Sequence, residues 1–287
     1  MEHEVSEMLR INKAQRDYYD HADGAGESEV NGFATNLWRR WRGRALSVFE
    51  DAAMDRSLSE VHLRWLPRDL SRSKVLDLGV GYGNPLSITL AKAAGSYVAI
   101  DLSPRLVDHF QRQLDRAGAP NARALVADFL SEEFAERDFD LVYARAVFHH
   151  FKYFDAFLEN LHGRLAPGGV VVTLDDPIET WAPMKVLRAA YRPFQTDASW
   201  EYPFTRATLR RIERFFTIER AQGTYDSSKW AIPLGIVAPK FARRCATRWH
   251  EKDLARTYSV STVTSSLRVS FLLRRKELAA RDPRESV

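Results

Sequence analysis

The chain has 287 residues, 45% of them hydrophobic and 28% charged, with 14 Gly, 12 Pro and a single Cys. That composition excludes a disordered chain, a collagen-like repeat and a disulfide scaffold. The formal net charge of +4 is unevenly spread, with 21 Lys+Arg against 28 Asp+Glu in residues 1–180 and 21 against 10 in residues 181–287, so the C-terminal part suits an anionic partner or a solvated Arg-rich exterior.

Taken in chain order, the N-terminal MEHEVSEMLR alternates charge with apolar residues and lacks the apolar stretch of a signal peptide. No apolar run reaches the roughly 18 residues that spanning a bilayer needs. Cys245 has no partner for an internal disulfide, and a cytoplasmic chain is the expectation. Residues 1–70 carry no Pro before Pro67 and are rich in Trp and Arg (WRRWRGRAL, SEVHLRWL), which reads as an N-terminal helical cap.

Residues 71–175 alternate short apolar runs with helix-compatible stretches. The runs are KVLDLG at 74–79, YVAID at 97–101, ARALVA at 122–127, FDLVYA at 139–144 and VVVTLD at 170–175. Strands of that length separated by amphipathic segments signal a parallel sheet with helical crossovers. Ser103-Pro104 caps one crossover helix, and Pro167-Gly168-Gly169 breaks the chain before the fifth run. A helix at 205–215, a strand at 216–221, an insertion spanning about 222–267 and a last strand at 268–275 complete a domain of residues 71–287, with 71–175 as its core.

The sharpest constellation follows the first strand, which runs into Gly79-Val80-Gly81-Tyr82-Gly83 ahead of a helix beginning near Asn84-Pro85. Glycines let a backbone turn tightly and approach a ligand, and the helix N-terminus behind them offers free N–H groups. Asp77 precedes the turn. Asp101 closes the second strand, where a carboxylate can accept hydrogen bonds from ribose hydroxyls. Neither register of the turn fits G-x-G-x-x-G/A, and no G-K-[ST] follows, so dinucleotide and Walker-type sites are excluded.

VLDLGVGYG resembles motif I of the class I S-adenosylmethionine-dependent methyltransferases, and the similarity extends over about 72–175. Their small-molecule branch (methyltransferase type 11/25-like) is the nearest match. The resemblance implies a Rossmann-like α/β fold: a doubly wound, seven-stranded, mostly parallel sheet whose last strand is antiparallel. It implies S-adenosyl-L-methionine as cofactor, bound by Gly79, Gly81 and Gly83, with Asp77 before the turn, Asp101 on the ribose and Leu102 beside the adenine. Asp128 stands where a carboxylate takes the adenine amino group, with Phe129 flanking the ring. FDLVYARAVFHHF (139–151) is similar to the segment after strand 4 of these enzymes, with Ala144 and Arg145 at the strand exit and a His-His pair beyond. LHGRLAPGGVVV (161–172) is similar to their helix-turn-strand. QRDYYD (15–20) is similar to a capping helix that closes over the cofactor, placing Tyr18 on the cofactor and Tyr19 near the chemistry. Val80 departs from the Cys, Ala or Ser of many relatives, at a position where only the backbone matters.

Methyl transfer from a sulfonium mainly needs alignment, and a base only where the acceptor carries a proton. His149 and His150 follow strand 4 at the carboxyl edge of the sheet, where open α/β sheets bind ligands, and are the candidate general bases. Either can instead be a packed, structural histidine. Asp175, Asp176 and Glu179 leave strand 5 into the same region.

No [DN]-P-P-[YF] follows strand 4, which disfavours DNA; no double-Glu hairpin appears; and Ala144-Arg145 replaces the Asp of metal-dependent relatives, so no metal is expected. The acceptor expected is a small, apolar or aromatic metabolite of biosynthesis. RNA methylation by the basic C-terminal part, and a repurposed domain that binds the cofactor without methylating, are the alternatives. Trp230, Ile232, Leu234, Ile236 and Val237, flanked by Lys229, Lys240, Arg243 and Arg244, suit a lid, a peripheral membrane contact or a helix pair on the core. Oligomeric state is left open.

Overall fold

The apolar runs are strands because each can bury both faces between layers of helices. In a computed structural model, which describes residues 2–21, 33–49, 59–191 and 200–277, they are β1 (Lys74–Leu78), β2 (Ser96–Asp101), β3 (Ala122–Val126), β4 (Phe139–Arg145) and β5 (Leu165–Pro177), joined by β6 (Phe216–Thr224) and β7 (Arg268–Arg275). The sheet order is β3-β2-β1-β4-β5-β7-β6. β7 runs antiparallel to both β5 and β6, and the other pairings are parallel. This is the Rossmann-like, doubly wound architecture with an antiparallel last strand that the sequence implies. Central strands such as β1 and β2 are buried almost throughout, while edge strand β3 alternates with solvent.

One face of the sheet is covered by α4 (Pro85–Ala93) and α5 (Pro104–Ala117), which bury Leu90, Phe110 and Leu114 with Trp65 and Leu70. The other is covered by α6 (Phe154–Arg164), α8 (Arg206–Phe215) and α1 (Glu2–His21), which bury Phe157, Ile212 and Met8. Each large apolar side chain buried there contributes about 1.5–3 kcal/mol. Capping fits the sequence: the Asn84 side chain accepts from Leu86 and Ser87 N–H ahead of Pro85, and Ser103 Oγ accepts from Leu106 N–H beside Pro104.

One expectation is revised. Pro167-Gly168-Gly169 does not break the chain before β5: the strand already pairs at Leu165 with Phe139, and the turn residues are absorbed as a register shift, with Gly168 at φ +74°. The N-terminal helices pack closely on the rest of the chain. Met8 of α1 is fully buried in the main core, and α2 (Phe33–Leu46) packs on α9 (Ala231–Val237) of the insertion, beside α10 (Pro239–Ala255). Residues 59–63 (α3) lead toward β1, and α7 (Ala182–Tyr191) follows β5. Among the described residues, no helix is long and apolar enough to cross a membrane.

Candidate functional site

At the carboxyl edge of the sheet the chain leaves β1 through the glycine turn. Gly79 and Val80 N–H donate to Ile100 O at 2.9 and 3.1 Å, and Gly81 N–H donates to Asp101 Oδ2 at 2.8 Å. The three glycines sit at φ +65°, +55° and +76°, where an L side chain is strained. Their surroundings differ. A Cβ on Gly79 would lie 2.6 Å from Val147 Cγ2 and one on Gly83 2.3 Å from Phe110 Cδ2, whereas one on Gly81 meets nothing within 4 Å. Gly79 and Gly83 therefore satisfy packing as well as φ, and Gly81 leaves open space beside the turn.

That space is a cavity of about 260 Å³ lined by Gly79, Gly81, Asp101, Leu102, Asp128, Phe129, Arg145 and His150, all expected from the sequence. Asn12 and Gln15 of α1, Val147 and Phe151 also line it. Asp101 holds the loops on both sides of itself, accepting from Gly81 N–H through Oδ2 and from Ser103 N–H at 3.0 Å through Oδ1. Asp128 accepts from Asn12 Nδ2 at 3.0 and 2.9 Å and from Leu130 N–H at 3.0 Å. Burial pushes both carboxyls above the usual carboxylate range, and these hydrogen bonds oppose it.

Helix α1 closes this part of the cavity. Besides Asn12 on Asp128, Glu7 pairs with Lys152 at 2.7 Å and Asp20 accepts from Ser103 Oγ, so the helix is tied to the segments after β2, β3 and β4. Met8, Asn12 and Gln15 form its buried stripe at i, i+4 and i+7, and Gln15 Nε2 is buried with no partner among the described residues. Polar residues continuing an apolar stripe are the signal that identifies Asn12, which lies outside the motifs, and Gln15, which opens QRDYYD but to which the resemblance assigns no role. The side chains of Tyr18 and Tyr19 lie outside the described residues.

Other expected positions are not on the cavity wall. Asp77 is buried, accepting from Tyr97 Oη at 2.5 Å and bonded to Ser87; burial raises its carboxyl to about 7 while those hydrogen bonds pull it down. It braces β1, β2 and α4. Gly83 packs on α5, and Ala144 is enclosed in β4.

Beyond β4, Ala146 takes φ +57° and donates to Leu174 O at 2.7 Å, a strained corner that swings the next residues across the sheet edge. It separates the two histidines. His149 is buried away from the cavity, its Nδ1 2.9 Å from Asp176 Oδ1, while Thr173 Oγ1 donates to Asp176 Oδ2. Asp176 is thereby spent on holding His149, and Asp175 pairs with Arg268 at 2.9 Å, with Arg145 4.0 Å away. His150 lines the cavity with Nδ1 3.1 Å from Trp200 O. A carbonyl only accepts, so Nδ1 carries the proton and Nε2 the lone pair. Burial, with His149 alongside, lowers His150 to about 4 and keeps it neutral at physiological pH. Among the described residues no group of three or more His, Cys, Asp or Glu side chains is placed to hold a metal ion.

Residues 75–169, which contain the glycine turn, both cavity carboxylates and both histidines, match the family described as a methyltransferase domain. The chain thus carries a methyltransferase domain over residues 75–169. It is 33% identical over 122 residues to a demethylmenaquinone methyltransferase from Thermus thermophilus, covering 40% of this chain and 55% of that one. It is 28% identical over 145 residues to a probable phthiotriol/phenolphthiotriol dimycocerosates methyltransferase of Mycobacterium ulcerans, covering 50% and 49%. The chain spans about half the length of the curated relatives it matches. A solved geranyl diphosphate C-methyltransferase from Streptomyces coelicolor shares the fold, with a TM-score of 0.57, 11% identity, and coverage of 92% of this chain and 98% of that one.

The residues of the methyltransferase domain fit the cofactor's nucleoside. The open side of Gly81 leaves room for it, Asp101 and Asp128 present acceptors to hydroxyl and amino donors, and the unpartnered Gln15 amide awaits an acceptor in the same cavity. Leu102 and Phe129 supply apolar surface for a planar ring.

Proposed function

We propose that this chain transfers the methyl group of S-adenosylmethionine to an O, N or C atom of a small, apolar or aromatic acceptor in biosynthetic metabolism. The observation that carries the proposal is that the glycine turn with its carboxylates and a neutral histidine line one cavity. When bound, the cofactor supplies an electrophilic methyl on a sulfonium that leaves as a neutral thioether.

The chain's own residues do the rest. Asp101 orients the ribose through acceptor capacity not used by Gly81 and Ser103. Asp128, set in place by Asn12, faces the adenine amino group, and α1 with Gln15 keeps water from this end. Holding nucleophile, methyl and sulfur in line is worth about 7–11 kcal/mol in well-oriented systems. His150 accepts the acceptor's proton on Nε2, its Nδ1–H fixed on the Trp200 carbonyl. His149 is a positioning residue, locked by Asp176 so that its neighbour faces the cavity. An acceptor without a labile proton reacts by alignment alone.

Two relatives are named for methylating demethylmenaquinone and phthiotriol/phenolphthiotriol dimycocerosates, neither of them a nucleic acid, which supports a small-molecule acceptor here. The test is calorimetric titration with S-adenosylhomocysteine, followed by detection of its release from S-adenosylmethionine as phenolic, quinol and aliphatic acceptors are added. Binding together with acceptor-dependent release is expected. Absence of binding overturns the cofactor assignment, and transfer to RNA alone overturns the acceptor class.

A further inference from the structure

The described residues leave nine large hydrophobic side chains exposed, and five of them, Leu37, Trp41, Trp230, Val237 and Phe241, belong to α2, to α9 with the turn just before it, and to α10. These elements pack on one another by small residues. Their shared core is Val48, Ala231, Ala242 and Ala246, and Gly235 approaches Ala45 so closely that a Cβ would lie 2.9 Å from its carbonyl oxygen. Phe49, Leu234 and Trp249 pack partly buried against that core, while the five exposed side chains stay outside it, although burying each would contribute about 1.5–3 kcal/mol.

The charge on these elements is mostly of one sign. Arg40, Arg42 and Arg44 of α2 and Lys240, Arg243, Arg244 and Arg248 of α10 are exposed; α2 and α9 contain no Asp or Glu, and α10 carries an exposed Glu251 near its C-terminus and a buried Asp253. Helical spacing mixes the two kinds of side chain: Leu37, Trp41 and Arg44 fall at i, i+4 and i+7, and Phe241, Arg244 and Arg248 at i, i+3 and i+7. Exposed aromatic and aliphatic groups within a field of cations fit an interface between acyl chains and anionic headgroups, where rings settle at headgroup depth and cations meet phosphates.

We propose that α2, α9 and α10 form a docking surface for an anionic lipid bilayer. The surface belongs to different elements from the cofactor cavity, so it stands or falls separately from the acceptor chemistry. Basic residues alone are a solvated exterior, and exposed apolar residues alone suit a second copy of the chain. Their combination, with Glu251 at the C-terminal end of α10 as the one exposed carboxylate among the described residues of these helices, favours lipid over self-association, since two like-charged faces repel.

The test is flotation of the full chain with vesicles of phosphatidylcholine and with vesicles of phosphatidylcholine mixed with phosphatidylglycerol. Selective flotation with the second, weakening as salt is raised, is expected. Trp41→Ser combined with Phe241→Ser, and separately Arg243→Glu combined with Arg244→Glu, should each reduce partitioning at least about tenfold while S-adenosylhomocysteine binding stays unchanged, which shows the variants folded. Equal flotation with both vesicle types, no flotation, or wild-type partitioning by the variants overturns the proposal. A dimer seen by light scattering and abolished by the aromatic variant, without flotation, assigns the face to a second copy. Salt-sensitive RNA binding without flotation assigns it to nucleic acid.

Discussion

The two ends of the cavity are built by different means. The cofactor end is made of backbone and short side chains from consecutive strand ends: the Gly79–Gly83 turn, Asp101 and Asp128, each pinned by main-chain N–H groups. Its spacing is set by the sheet, because β1, β2 and β3 are parallel neighbours in register. The acceptor end is made of side chains on irregular backbone, a positive-φ corner at Ala146 and a single 3₁₀ turn, and is secured by partners far along the chain, Asp176 and Trp200. The first construction holds one ligand in one way and tolerates little change. In the proposed function the second fixes the scaffold through the His149–Asp176 contact and leaves the wall free to vary with the acceptor.

If that division holds, substitutions at the two ends separate into effects on binding and effects on turnover. His150→Gln is expected to lower kcat by about 10²–10⁴-fold for an acceptor that loses a proton, with cofactor affinity unchanged; parallel loss of both in kinetics and calorimetry breaks the comparison. The wild-type to His150→Gln rate ratio also has a defined pH course. His150 protonates only near about 4, so the ratio should stay level from about pH 5 to 8 and collapse as pH falls through 4, where the imidazole gains a proton and can no longer accept one. A collapse near 6.5 instead describes a solvated histidine.

Asp101→Ala is expected to weaken S-adenosylhomocysteine binding by about 1.5–3 kcal/mol, the range for a hydrogen bond to a charged group, without a matching fall in kcat at saturating cofactor. Asn12→Ala leaves Asp128 with one main-chain donor and loosens α1, and should weaken cofactor binding about tenfold, part of the 1.5–3 kcal/mol being recovered by water. The smallest effect is expected for Asp77→Asn. The amide oxygen still accepts from Tyr97, the side chain does not line the cavity, and cofactor affinity should change less than about threefold, within ~0.6 kcal/mol. A large loss there on titration would return Asp77 to the binding surface.

The same contrast explains what was legible in the residues. The β1 turn was legible because φ > 0 at three positions forces glycine, and Asp101 was legible because strand length and crossover length place it beside that turn. Asp77 shares the motif but not the cavity, since alternation along β1 turns its side chain toward Tyr97 and α4. The stripe of Met8, Asn12 and Gln15 marks the buried face of α1, but that this face meets Asp128 depends on how α1 crosses the sheet edge, a packing result that no local pattern carries. The pairing of the histidines was visible and their division of labour was not.

By itself, the sequence determined the alternation of strands and helices, the glycine turn and the carboxylates at neighbouring strand ends, all set by residue types acting over a few positions, while the reversed last strand was implied only by the family resemblance. Tertiary structure alone decided which histidine faces the cavity, which polar residues of α1 close it, and that the insertion packs through its alanines with Trp249 beside them and leaves Trp230 and Phe241 outside. Those outcomes rest on contacts between segments tens to more than a hundred residues apart, whose geometry follows from the packing of the whole chain.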